Sequence, residues 1–327
     1  LAAAFLEFFG NLAYDGGLAR MSTFGLIGTI TSDAITQDDG LPLKGLGGIL
    51  YQAAALCGLG DEVFLFSNCG RGLKPEVQRL IGAWKTLYTN GLEFVPGPGN
   101  QVFLRYSFQL KEREEVLESV VPSLDPAKAL GDLAQIEMLL AVFNSGFDIA
   151  LGDWRKIADS AGCPVWLDIH SLALAKHLHK HREYIPLADW REWVKGAAYL
   201  QANRQEVACM LGHPQAWPEE REIEAFVKDA YKIGVKAVFV TMGKEGVLIS
   251  TPAGSRKMRA PRAKTVVDTT GCGDVFCAGT MHRLAKGASI TEAASFGIHL
   301  ASQAASLAGV AQTYEMAARF RPPAIPY

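Results

Sequence analysis

The run Asp268-Thr269-Thr270-Gly271-Cys272-Gly273-Asp274-Val275-Phe276-Cys277-Ala278-Gly279 follows an apolar, strand-like triplet at 265–267. It leads into a segment whose apolar residues Val275, Ala278, Met281, Leu284 and Ala285 recur at helical spacing. The pattern predicts a strand, a glycine-rich turn and a helix. In such a turn the backbone N–H groups of Gly271, Cys272 and Gly273 point into one concavity at the positive end of the helix dipole, where an anion is stabilised. Asp274, in the first helical turn, sets a carboxylate beside that concavity, placed to accept a proton from a hydroxyl. A simple tight turn, with Asp274 favouring the helix start, would use the same glycines.

Strand-length apolar runs recur along the chain at 24–30, 63–67, 139–143, 165–169, 198–202 and 237–241. Helix-length segments lie between most of them: 48–59, 218–233 and 127–137, the last opening on Asp125-Pro126 as N-cap and first-turn proline. This βα alternation, with strands apolar throughout, predicts an α/β fold whose mostly parallel sheet is covered on both faces. Residues 101–111 depart from it. There Val102, Leu104, Tyr106, Phe108 and Leu110 alternate with Phe103, Arg105, Ser107, Gln109 and Lys111, the period of two of an antiparallel strand with one wet face. Residues 116–121 are expected to return as a second strand, and 34–46, with its Asp38-Asp39-Gly40 turn, as a short hairpin. Both pieces are read as a small β lid on one α/β domain spanning 23–327, with lid segments near 34–46 and 100–121. Residues 1–22 are read as an N-terminal extension.

Composition narrows the function classes. Thirty-two basic and 34 acidic side chains give a net charge of -2, so no overall attraction to nucleic acid or an anionic membrane is built in. The six cysteines are scattered without a Cys-x-x-Cys pair, which points to reduced thiols and a cytoplasmic protein. No apolar run reaches spanning length. The first twenty residues lack a basic start and include Glu7 and Asp15, a poor signal peptide.

The run from Asp268 to Gly279 resembles the signature D-T-x-G-x-G-D-x-F-x-x-G of the ribokinase-like (PfkB) family of carbohydrate and nucleoside kinases, and every fixed position matches. The resemblance implies a three-layer α/β/α sandwich with a small lid. It implies Asp274 as catalytic base, the amides of Gly271, Cys272 and Gly273 as the anion hole, and Asp268 and Thr270 beside a monovalent cation such as K+. Gly28 to Asp33 looks like the family's first-strand element, whose aspartate, here Asp33, binds substrate hydroxyls. Gly47-Gly48 followed by a helix resembles the second substrate element, with Gln52 where the family usually has Asn. Asn203-Arg204-Gln205-Glu206 is similar to an N-x-x-E element, in which Glu206 orders Mg2+ through water. The same spacing is also a helix capping box. Thr241, Gly243 and Gly246 resemble the nucleotide-side turn, and a plain glycine turn between strands accounts for them equally.

The activity implied is ATP-dependent phosphorylation of a hydroxyl on a small sugar or nucleoside-like molecule, with ATP and Mg2+ as cofactors and a homodimer formed through the lid. The other reading kept is a non-catalytic sugar- or nucleotide-binding relative, a sensor or scaffold. A Rossmann-type dehydrogenase is excluded, because no Gly-x-Gly-x-x-Gly follows the first strand. Two departures stand out: Asp168-Ile169-His170-Ser171 where many members have Asp-Pro-Asn, and Arg71 between Gly70 and Gly72. The basic stretch 176–182 with His177, His179 and His181 is read as a solvated helix face rather than a metal site. For Cys272, position at a helix N-terminus predicts a lowered thiol pKa.

Overall fold

The computed structural model describes residues 20–37, 40, 42–107, 112–261 and 265–321. Residues 1–19 of the expected extension, the Asp38-Asp39 part of the lid turn and Phe108 to Lys111 lie outside them.

Fourteen strands are described: β1 (Thr23–Ile27), β2 (Ile30–Gln37), β3 (Leu43–Gly48), β4 (Glu62–Gly70), β5 (Leu87–Tyr88), β6 (Leu92–Val95), β7 (Asn100–Ser107), β8 (Glu112–Ser119), β9 (Met138–Val142), β10 (Val165–Asp168), β11 (Tyr199–Asn203), β12 (Ala237–Thr241), β13 (Val247–Thr251) and β14 (Gly254–Met258). The large sheet runs β14-β13-β12-β11-β10-β9-β1-β4-β5, with β6 beside β4. From β12 to β5 every pairing is parallel; only β13 and β14 run antiparallel.

Strand residues alternate between two apolar cores. Leu139, Ala141, Val165, Leu167, Val238 and Val240 face one core, which the helices Leu151–Ser160, Trp190–Val194, Arg204–Leu211 and Glu220–Lys232 cover. Leu140, Trp166 and Phe239 face the other, beneath the helices Leu50–Leu59, Lys74–Ile81, Cys272–Ala285 and Ile290–Ala304. A strand buried on both faces must be apolar at every position, which is why these runs read as continuous. The result is the expected three-layer α/β/α sandwich.

A separate four-stranded sheet, ordered β3-β2-β7-β8, forms the lid. The expected strand at 24–30 is two strands, because Gly28 and Thr29 carry the chain off the large sheet. Gly28 N–H still reaches Phe66 O, at 3.4 Å. Thr29 is then clamped by buried Asp148, whose Oδ1 accepts from Thr29 N at 3.1 Å and from Thr29 Oγ1 at 2.6 Å. Asn100 ties the second lid segment to the same point, donating to Thr29 Oγ1 at 2.7 Å and accepting from Val121 N at 2.7 Å. The roots of both lid segments therefore share one buried polar knot. As expected for β7, Val102 and Leu104 are buried while Phe103 and Arg105 are exposed.

Three other expectations are corrected. The helix expected at 127–137 shrinks to Ala127–Leu130 and a 3-10 turn, Leu133–Gln135. Asp125 does accept from Ala127 N, but Gly131 and Asp132 are poor helix formers, and Glu137 N already donates to Thr23 O as the chain enters β9. No strand forms at 265–267. There the N–H groups of Val267 and Asp268 bond to Ala305 O, at the end of the helix Ile290–Ala304, and Val266 stays exposed. The 176–182 stretch is not helical. It crosses the lid as an irregular strap, bent at 178–180, with His181 bridging to Val116 and His179 N bonding to Leu117 O.

No helix among the described residues is long and apolar enough to cross a membrane.

Candidate active site

Parallel strands carry the first polar residue past their apolar runs to one edge of the sheet. Asn144 follows β9, Asp168 ends β10, Asn203 ends β11 and Thr241 ends β12. All four line a cleft of about 220 Å³ between that edge and the lid. Open α/β sheets bind ligands at the carboxyl ends of their strands for this reason.

The opposite wall is the start of the helix Cys272–Ala285. Gly271 caps it with φ +78°, in the left-handed region, and a β-carbon there would lie 2.5 Å from the Tyr51 ring. Glycine is thus demanded twice, by conformation and by space. Thr270, Gly271, Gly273 and Asp274 face the cleft. The Cys272 N–H closes the turn on Thr269 O at 3.2 Å. Its side chain points away, with Sγ 3.6 Å from Ala301 O. Burial, with Asp268 and Asp274 adding negative charge, pushes this thiol up to about 12. The lowered pKa expected from the helix dipole is therefore corrected: desolvation of the thiolate outweighs the dipole.

Gln52 lies beneath Asp274, fully buried on the helix Leu50–Leu59, and its Nε2 donates to Asp274 Oδ1. Its own Oε1 is buried without a partner among the described residues. On the other side Gln201 Nε2 bridges Asp168 Oδ2 at 2.7 Å and Gly273 O at 3.2 Å. Burial holds the Asp168 carboxyl well above the usual carboxylate range, with the charges of Glu206 and Asp274 adding to the effect.

At the lid end, Asp33 on β2 faces the cleft beside Gly48. Gly47 stands behind, and a β-carbon on it would fall 2.0 Å from Asp33 Oδ2. Asn203 and Glu206 form a complete capping box: Glu206 N donates to Asn203 Oδ1 at 2.9 Å and Asn203 N to Glu206 Oε2 at 2.7 Å. Both residues also line the cleft, so the box and a ligand-facing position coexist. Of the three residues resembling the nucleotide-side turn, Thr241 faces the cleft, while Gly243 and Gly246 shape the turn beyond it. Asp268 supports the loop from behind, its Oδ1 accepting from Thr270 N at 2.9 Å, and Thr270 Oγ1 is buried with no partner among the described residues.

Sequence reasoning did not single out Tyr51, Glu115, Asn144, His170, Tyr184 or Gln201, all of which line the cleft. For Asn144 and Gln201 a signal existed: each is a polar residue in or just past an apolar strand that ends at the site. His170, at φ +41°, is a non-glycine residue in the left-handed region, a conformation that collects at functional sites.

Residues 150–316 match the family described as pfkB family carbohydrate kinase. The chain belongs to that family. Among curated relatives, the 1-phosphofructokinase of Haemophilus influenzae is 28% identical over 158 residues, 48% of this chain and 45% of that protein. A protein described as an uncharacterized sugar kinase of Archaeoglobus fulgidus is 32% identical over 118 residues, 36% of this chain and 43% of that protein. These matches thus span less than half the length of either relative. Arabidopsis thaliana ribokinase, solved with ribose and ATP, shares the fold at a TM-score of 0.70 and 18% identity, covering 92% of this chain and 99% of that one.

Proposed function

We propose that the chain transfers the γ-phosphoryl group of ATP to a hydroxyl of a small sugar or nucleoside-like acceptor. One observation carries the reading: a single cleft holds Asp274, in the first turn of a glycine-capped helix, opposite Asp33 on the lid. Asp274 takes the acceptor's hydroxyl proton as that oxygen bonds to the γ-phosphorus, and the bond from phosphorus to the β–γ bridging oxygen breaks, releasing ADP. Charge gathering on the phosphoryl oxygens meets the helix N-terminus and the amides of Gly271 and Gly273. Gln52 and Gln201 aim the two sides of this site. The fold shared with a ribokinase that binds ribose and ATP supports the choice of donor and acceptor class.

Asn203 and Glu206 are the residues placed to hold the waters of a magnesium ion, since carboxylate oxygens accept more than one hydrogen bond each. Such an ion supplies neutralising charge to the transferring group. Asp268 and Thr270, with its orphaned Oγ1, fit a monovalent cation. Exposed Leu43 and Phe103 on the lid support pairing of two copies there, which the mass in solution would test.

The deciding experiment is ADP release with ATP, Mg2+ and a panel of sugars and nucleosides, for wild type and Asp274→Asn. Loss of a general base lowers kcat by about 10²- to 10⁴-fold. Near-full activity in Asp274→Asn would overturn the assignment. ADP release no higher with any acceptor than with ATP alone would favour a binding protein.

A further inference from the structure

We propose that the lid end of the cleft takes an uncharged polyol, one rich in hydroxyl donors, in preference to a phosphorylated or carboxylated sugar. The inference rests on the kinase reading above and narrows its acceptor class.

The lid's inner face follows from its register. Asp33 pairs with Val102 across β2 and β7, and Leu104 pairs with Glu115 across β7 and β8. Paired residues share a face, as do residues two apart, so Thr31, Asp33, Val102, Leu104 and Glu115 all look into the cleft. The polar groups among them offer oxygens. Asp33 and Glu115 bring carboxylates, and Asn144 stands on the body side. Thr31 Oγ1 and Asn144 Oδ1 are buried with no partner among the described residues. The two carboxylates and Asn144 Oδ1 only accept and so call for donors, which hydroxyls provide, whereas a phosphate dianion or a carboxylate brings acceptors alone; the Thr31 hydroxyl meets a polyol as donor or acceptor.

One guanidinium lies close by, and each of its three nitrogens already donates to a protein oxygen. Arg182 comes from the strap and is buried. Its Nε donates to Ala175 O, Nη1 to Glu115 Oε1 and Nη2 to Ser145 O, each at 2.9 Å. It balances Glu115 and fixes that carboxylate's orientation, locking strap and lid together. Val102, Leu104 and the rings of Tyr51 and Tyr184 supply apolar surface for the C–H faces of a sugar. A ligand matching this wall is neutral, with an apolar face and several O–H groups.

The test uses wild-type protein with ATP and Mg2+ and matched acceptors: ribose against ribose 5-phosphate, fructose against fructose 1-phosphate, and glucose against gluconate. ADP release gives kcat/KM, and calorimetric titration of each acceptor without ATP gives binding independently. In at least one pair the neutral member should exceed its charged partner by about 100-fold or more, since like charges brought together inside a site are strongly rejected. A charged member that binds or reacts as well as or better than its neutral partner overturns the proposal, as does failure of every neutral member to bind. Neutral binding without ADP release refutes phosphoryl transfer while leaving the acceptor class standing. Glu115→Gln adds a second reading. It unmasks the Arg182 charge, so the ratio should move toward the charged member by about tenfold; an unchanged ratio in a folded variant would show that Glu115 does not set it.

Discussion

Gln52 occupies a position that sequence comparison assigns to substrate binding, yet its side chain is fully buried and donates to Asp274 Oδ1. Its predicted role is to aim the base, and the two roles separate in kinetics. In Gln52→Leu the amide donor disappears while the bulk of the side chain is kept. A hydrogen bond to a charged group contributes about 1.5–3 kcal/mol, so if the bond is needed to hold Asp274 in its working rotamer, kcat should fall by about 10- to 150-fold. Water can partly replace the amide because Asp274 is only half-buried, which favours the lower end. The acceptor KM should stay within about twofold, since uniform binding is not removed. Stability should hardly change, because the substitution also deletes Oε1, a buried acceptor without a partner. Steady-state kinetics with a coupled ADP assay and a urea melt measure all three quantities. Unchanged kcat with a raised acceptor KM would refute the positioning role and return Gln52 to the substrate. Gln52→Glu sharpens the test. A second carboxylate against Asp274 makes its proton harder to remove, so the acid limb of the kcat profile should move to higher pH.

Three further outcomes are expected. Asp168 has its carboxyl pKa raised on folding, so its contribution to stability is full below the unfolded value and is lost as pH rises through the folded one. Urea midpoints of the wild type should fall across that interval, and Asp168→Asn should flatten the fall; parallel curves would contradict the burial argument. Cys272, with its thiol near 12, should react with iodoacetamide at pH 7.5 about a thousandfold more slowly than an ordinary cysteine, read by peptide mass after timed quenching. Gly271→Ala should lose about 1–3 kcal/mol of stability in urea melts, because alanine at φ +78° is strained and its methyl meets the Tyr51 ring; a wild-type midpoint would show that the turn is not held there.

Much of the fold was legible because it is written locally. The strand expected at 237–241 is β12 to the residue, and the capping box read at Asn203 and Glu206 does open a helix, Arg204–Leu211. Where local pattern failed, a distant partner had taken over. The strand at 24–30 breaks because Asp148, more than a hundred positions away, captures Thr29. The basic stretch 176–182 had helical spacing of its histidines, but the lid's β8 offers backbone partners to His179 and Arg182, and Arg182 gains a buried mate in Glu115. Pairing to a sheet edge outweighs a weak helical preference. The triplet at 265–267 looked like a strand for want of any sign that Ala305 would take the N–H groups of Val267 and Asp268.

The site divides along the same line. Residues that act through their own backbone turn, such as Gly271 and Asp274, stand out in sequence because the turn needs them at fixed offsets. Residues that act through another side chain leave no such trace. Gln52 and Asp274 are 222 positions apart, and Gln201 meets Gly273 across 72. What brings them together is one helix layer packed on a parallel sheet: the helix carrying Gln52 packs beside the helix carrying Asp274, and β11 delivers Gln201 to the sheet's edge. The glutamine at position 52 looks like a mere exchange of amides when compared with the asparagine usual in the family. In the fold, its extra methylene lets an amide rooted in a buried helix reach the carboxylate across the layer. That longer amide thus supplies the contact on which the positioning role rests.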